Sequence, residues 1–155
     1  MRQLSGDLLP IKGQLAIVAS RFNDFIVEQL IRGAVAASTK LGLSESQLTV
    51  VSVPGAFEIP FACQQLAQTK RYEGIVALGA IIRGSTPHFD YVANESAKGI
   101  AALQLSLNLP MTNGILTCDT IEQAIERAGT KAGNKGYDAM FAIIEMINLM
   151  AKIHD

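Results

Sequence analysis

The sequence predicts an α/β protein: an open sheet of four parallel strands with helices on both faces. Three observations lead there. Four short apolar runs recur along the chain, each nearly continuous in hydrophobicity rather than alternating, which is how strands covered on both faces read. Helical periods separate these runs. The resulting order β-α-β-α-β-α-β-α-α leaves right-handed crossovers as the compact way to bring the strands together. A length of 155 residues suits one such unit, so residues 1–155 are expected to form a single domain, with 1–12 as an extended arm ahead of it.

The first run, 14–20 (QLAIVAS), leads into a helix expected over 24–41. There Phe25, Ile26, Gln29, Leu30, Gly33 and Ala37 follow i, i+3/i+4 spacing, and Gly42 fits the residue that ends the helix. The second run, 48–53 (LTVVSV), precedes a helix over 58–69. The third, 74–82 (GIVALGAII), precedes one over 89–107, which Asn108, Leu109 and Pro110 stop because proline removes a donor and biases its predecessor away from helix. After the fourth run, 111–117 (MTNGILT), two helices follow in succession, 120–128 and 134–153. Thr120 is expected to cap the first, with Gln123 completing a capping box, and residues 129–133 (GTKAG) to break the two apart. Residues 1–12 carry Leu4, Leu8, Leu9 and Ile11 but poor helix signals. Such an arm either frays or adds as a strand to the sheet of a neighbouring subunit. The whole is a three-layer, flavodoxin-like α/β/α sandwich.

Charge narrows the function classes. Thirteen Lys and Arg against fourteen Asp and Glu leave a net charge of −1, so the sequence has no basic surface suited to nucleic acid or an anionic membrane. Charged residues make up 17% against 49% hydrophobic, where a soluble domain ordinarily carries about 25% charged. That shortage of solvated side chains predicts a homo-oligomer, with part of the outer surface facing another subunit. Cys63 and Cys118 lack CxxC spacing and a neighbouring His, which reads as two buried thiols of a reduced compartment rather than a metal set. The opening residues lack the apolar stretch of a secretion signal, and the expected location is the cytoplasm.

In an open parallel sheet the ligand lies outside the carboxyl ends of the strands. Four loops are therefore candidates. After the first run, Phe22 is either a stacking platform for a flat heterocycle or a plug of the core. After the second, Pro54 and Pro60 bracket Gly55, Ala56, Phe57 and Glu58, a rigid turn whose backbone N–H groups could bind a polyol or amide. Glu58 either accepts hydroxyl protons or complements the helix dipole. The third loop, 79–90 (GAIIRGSTPHFD), has glycines at P-loop spacing, but Ser85 stands where a P-loop needs lysine. That argues against a phosphotransferase. What remains is a turn with the hydroxyls of Ser85 and Thr86 at a helix N-terminus, suited to a single phosphate. His88 beside it is either structural or a proton shuttle, a role for which an imidazole is suited near neutrality. Last comes a basic set, Arg127, Lys131 and Lys135: either a solvated helix face, though its i, i+4 pairs are like-charged, or a phosphate site in which Arg127 is suited to a bidentate contact.

Taken together, Arg21-Phe22-Asn23, the 53–58 segment VPGAFE, the 79–92 segment GAIIRGSTPHFDYV, and the residues around Glu122, Arg127, Gly129 and Lys135 resemble the 6,7-dimethyl-8-ribityllumazine synthase family. The similarity runs over about residues 12–150, with four motifs in order. It implies condensation of 5-amino-6-(D-ribitylamino)uracil with 3,4-dihydroxy-2-butanone 4-phosphate, the penultimate step of riboflavin biosynthesis, without a metal or organic cofactor. By this resemblance Phe22 stacks on the pyrimidine, and Ala56, Phe57 and Glu58 hold the ribityl chain and ring edge. The backbone of Ala80, Ile81 and Ile82 binds the uracil, while Ser85, Thr86 and Arg127 bind the phosphate, Lys135 belongs to the same substrate-binding set, and His88 donates the proton. It further implies an active site between neighbouring subunits of a pentamer, with Arg127 reaching across, and the short 129–134 linker resembles that of members forming sixty-subunit icosahedral shells. Riboflavin synthase is a candidate partner of such a shell. Asn113 belongs to the implied substrate-binding set through its backbone, but it stands where many members carry an aromatic that packs over the heterocycle from the neighbouring subunit, so stacking there is lost. The competing non-enzymatic reading is a shell protein that binds flavins or pterins without turnover.

Overall fold

The computed structural model describes residues 1–155. Its main sheet has four parallel strands, β1 (Gln14–Ser20), β2 (Leu48–Val53), β3 (Tyr72–Ile82) and β4 (Met111–Cys118), in the order β2-β1-β3-β4. Leu15 pairs with Leu48 on one side and Gly74 on the other, and Ile75 to Ile82 run beside Met111 to Cys118. The four expected strands and the α/β sandwich are thus present. β3 begins two residues ahead of the expected run because Tyr72 pairs with Gln14, where the register shifts.

Alternation along each strand sorts the core into two layers. Leu15, Ile17 and Ala19 face helices α1 (Asp24–Lys40), α4 (Ile121–Glu126) and α5 (Lys135–His154), together with Val76 and Leu78. Ala16, Val18, Ile75 and Ala77 face α2 (Ile59–Gln68) and α3 (His88–Ser106). Large side chains such as Leu15, Ile17, Leu30, Ile75, Leu78 and Ile143 are fully buried, each contributing about 1.5–3 kcal/mol through apolar area withdrawn from water.

Glycines set the approach of α1 to α5. A Cβ at Gly136 would run into the Leu30 carbonyl oxygen, and one at Gly33 would strike the Asn134 side chain. Asn134 in turn caps α5, its Oδ1 accepting from the N–H groups of Gly136 and Tyr137 while its Nδ2 donates to Gln29 O. The helix start and its neighbour are therefore fixed by one amide.

The C-terminal region departs from expectation. The helix expected over 120–128 spans only Ile121–Glu126, and the 129–133 break is a small antiparallel hairpin of β5 (Ala128–Thr130) and β6 (Gly133–Asn134). Gly129 and Gly133 adopt φ of +123° and +100°, which other residues rarely enter, so the chain turns there instead of continuing the helix. The expected cap is present: Gln123 N–H donates to Thr120 Oγ1, and Gln123 Oε1 accepts from the N–H groups of Asp119 and Thr120.

The arm forms no strand within its own chain. From Ser5 onward it lies along α5, where Asn148 Nδ2 donates to the carbonyls of Asp7 and Leu9, and Lys152 Nζ contacts Ser5 O and Asp7 Oδ2 (2.9 Å). That lysine holds the Asp7 carboxyl below the ordinary carboxylate range. Ile11 is buried, whereas Leu4, Leu8 and Leu9 stay exposed.

Candidate active site

The chain winds outward from β1 in both directions, since β2 lies on one side and β3 on the other. At such a reversal the loops leaving adjacent strands diverge and leave a crevice. A cavity of about 580 Å³ occupies that place. Its walls come from the three loops that follow β1, β2 and β3, and from the first turns of α3.

Phe22 enters from the β1 loop, its backbone N–H bonded to Pro54 O (3.1 Å). Its side chain is 71% exposed and lines the cavity, so it does not plug the core. An exposed aromatic held by its backbone at a crevice offers a ring for a flat ligand to stack on. Asn23, the next residue, has φ of 60° and donates from Nδ2 to Ala80 O (2.9 Å), tying the β1 loop to the end of β3. Asparagine tolerates this left-handed geometry better than most residues.

The β2 loop contributes Pro54, Gly55, Ala56, Phe57 and Glu58. Ala56–Glu58 form one 3-10 turn before α2. Glu58 Oε2 accepts from Gly55 N–H (3.0 Å), and Glu58 N–H donates to Gly55 O (3.2 Å). Of this turn's N–H groups, those of Gly55 and Glu58 are thus engaged. The carboxylate keeps its second oxygen and both lone-pair directions there for a ligand. Phe57 is 58% exposed, a second aromatic wall.

β3 ends in the cavity with Ala80, Ile81 and Ile82. Gly79 is not part of a phosphate loop: it lies inside β3 opposite Ile115, and a Cβ there would come within 2.8 Å of Ser20 Oγ. The glycine is needed for strand packing, and the P-loop likeness is coincidental. Gly84 is the opposite case. Its φ is not positive and a Cβ would meet nothing within 4 Å, and the residue lines the cavity. Thr86 and His88 follow, with His88 opening α3 and exposed.

The structure therefore brings together Phe22, Ala56, Phe57, Glu58, Ala80, Ile81, Ile82, Thr86 and His88. Ser85 sits in the same loop but outside the cavity wall. Arg127 ends α4, its Nη1 bonded to Gln123 O (2.9 Å) and 3.7 Å from Glu126 Oε2; it does not line this cavity. Lys135 is exposed at the start of α5. Asn113 lies in the middle of β4 opposite Ala77, its Oδ1 accepting from Ile115 N–H. These last three stand apart from their own chain's cavity.

Sequence reasoning missed Asn23, Tyr91 and Val92 as wall residues. The signal for the last two was available: Tyr91 and Val92 stand three and four positions after His88 and so share its helix face. Cys63 and Cys118 are buried and unbridged. Desolvation pushes the Cys63 thiol up to about 12, and burial also raises that of Cys118 against the pull of the Arg127 charge. Neither is available as a nucleophile near neutral pH.

The sequence model of the family described as 6,7-dimethyl-8-ribityllumazine synthase matches residues 12–151. A protein of Campylobacter lari named 6,7-dimethyl-8-ribityllumazine synthase is 52% identical over 155 residues, covering 99% of this chain and 99% of its own length. With three of the four motifs meeting at one crevice and the likeness spanning nearly the whole chain, this protein belongs to the 6,7-dimethyl-8-ribityllumazine synthase family.

Proposed function

We propose that the protein is a transferase that condenses 5-amino-6-(D-ribitylamino)uracil with 3,4-dihydroxy-2-butanone 4-phosphate to give 6,7-dimethyl-8-ribityllumazine, phosphate and water. The reading rests on family membership. The observation that carries it in this chain is the convergence of Phe22, the Ala56–Glu58 turn, the Ala80–Ile82 strand end and His88 on one cavity. The pyrimidine lies against Phe22 with its amide edge on the backbone of Ala80, Ile81 and Ile82. Its ribityl hydroxyls meet Glu58 and the backbone of Ala56 and Phe57. The ketose phosphate binds at the Gly84–Thr86 turn beside His88, with Ser85, Thr86 and Lys135 supplying donors.

The 5-amine attacks the ketone carbon, and loss of water gives an imine. Proton removal from carbon then expels inorganic phosphate, leaving an enol that tautomerises to a ketone. The ribityl-bearing nitrogen attacks that second carbonyl, and a second water leaves as the ring closes. Each step moves a proton, which the His88 imidazole can accept and return. Cationic groups around the phosphate ease its departure, and holding two substrates in contact supplies much of the acceleration.

Arg127 and Lys135 do not line their own chain's cavity, and Asn113 is exposed on the edge strand β4. This supports a site completed by a neighbouring subunit of a pentamer, with Arg127 reaching the neighbour's phosphate. The free edge of β2, with Val50 exposed, suits the arm of an adjacent chain as an added strand. Short linkage between α4 and α5 suits assembly of pentamers into a sixty-subunit shell in the cytoplasm. Mixing purified protein with both substrates should raise lumazine fluorescence and release one phosphate per lumazine. A rate no greater than the spontaneous condensation contradicts the enzyme.

A further inference from the structure

We infer that Arg83 is a positioning residue, a clamp that fixes the loop carrying Ser85, Thr86 and His88; the inference rests on the proposed synthase reaction for its kinetic consequence. Arg83 follows the last residue of β3, and its backbone N–H extends the sheet by one bond to Cys118 O (2.9 Å). Its guanidinium then meets three residues, one in the β4–α4 connection and two in α3. Nε donates to Asp119 Oδ1 (2.8 Å) in the β4–α4 connection, and Nη1 donates to Asp90 Oδ1 (3.3 Å) in the first turn of α3. The guanidinium carbon also lies 4.3 Å from the centre of the Phe89 ring. Phe89 and Asp90 are the two residues that follow His88, so the side chain grips the loop's far end while its own backbone forms the near end.

The arrangement needs arginine. A planar fork can serve two carboxylates and a ring face at once, whereas an ammonium on a flexible stem meets one. The Asp119 hydrogen bond raises the guanidinium pKa above its ordinary value, so the charge is permanent at any working pH. Arg83 is 44% exposed and the carboxylates 51% and 66%; pairs so solvated add little to stability. Their effect is geometric: with both ends of the loop tied, the five residues between Arg83 and Phe89 keep their position beside the cavity. The network continues, since Asp119 N–H donates to Gln123 Oε1 and Gln123 O accepts from Arg127. The His88 loop and the Arg127 turn are thus braced by the same aspartate.

The test compares wild type with Arg83→Ala, Arg83→Lys and Asp119→Ala in the assembled protein. Amide exchange in the first turn of α3 should quicken by about tenfold in Arg83→Ala and Asp119→Ala, with the β1 loop unchanged. In turnover, KM for the ketose phosphate should rise about tenfold and kcat fall, while KM for the pyrimidine, held by other loops, stays within about twofold. Arg83→Lys should recover part of the loss, and Arg83→Ala combined with Asp119→Ala should cost little more than either alone. Unchanged exchange and unchanged ketose-phosphate KM overturn the clamp, as does an equal rise of both KM values with lowered thermal stability. Failure of wild type to turn over contradicts the synthase reading, and the exchange measurement then decides on the clamp alone.

Discussion

His88 and Arg127 have different tasks in the proposed reaction, so their removal separates kinetically. For His88→Ala we expect kcat to fall by about 10²-fold, because the imidazole's proton transfers are lost while both substrates remain held together. Stopped-flow fluorescence would measure it, and an unchanged kcat would remove His88 from its role. Arg127→Ala should act mainly on KM for the ketose phosphate. Gly84 offers a cleaner separation of fold from function. Its Cβ would enter open space at an ordinary φ, so Gly84→Ala should leave the melting temperature within about 1 °C. The added methyl nonetheless stands at the cavity wall beside the Ser85 and Thr86 turn, and the same KM should rise. Cys63 tests burial directly. Its thiol is raised from 9.0 to about 12 by desolvation, so the neutral form is favoured by folding; this contribution is intact below about pH 9 and is lost as pH climbs toward 12. Alkylation at pH 8, followed by mass spectrometry, should therefore label Cys63 only after denaturation. The place of the site was legible because the loops after successive parallel strands are where a ligand lies, whereas residue types alone left Glu58 and His88 open between structural and functional roles, and only the resemblance chose between them. Asn23 was not legible, since its hydrogen bond to Ala80 crosses between strands distant in sequence.

At the level of elements, the sheet and the three long crossover helices follow from hydrophobic period, and each appears within two residues of its expected bounds or nearly so. The C-terminal hairpin escaped because residues 129–133 carry no β-branched alternation; two glycines at positive φ define it, and a glycine's φ is not written in its neighbours. The docking of residues 5–9 on α5 escaped for a related reason, as Asn148 and Lys152 meet the arm only after the whole sandwich has formed. The contact between α1 and α5 is the element most sensitive to a single atom. Gly136→Ala places a methyl against the Leu30 carbonyl, forcing the helices apart at a cost of about 1–3 kcal/mol. Thermal unfolding should show a fall of about 2–10 °C for a chain of this length; an unaltered transition would mean that the helices are not closely packed.

For the whole molecule, the shortage of charge has a structural counterpart. Phe61, Leu105, Ile125, Met146 and Ile153 are exposed in the single chain and belong neither to its core nor to the cavity wall. Burial of such residues between subunits would explain why the sequence carries 17% charged residues. On the proposed arrangement Arg127 would have a use that its own cavity does not give it, and the active site would be a property of two chains. Co-assembly of His88→Ala and Arg127→Ala subunits measures this most directly. Each variant alone should be slow at low ketose-phosphate concentration, while refolding them together at equal amounts should restore about one quarter of wild-type activity, the fraction of interfaces that randomly pair an intact His88 with an intact Arg127. Activity no greater than the average of the two separate variants would contradict a site shared between subunits.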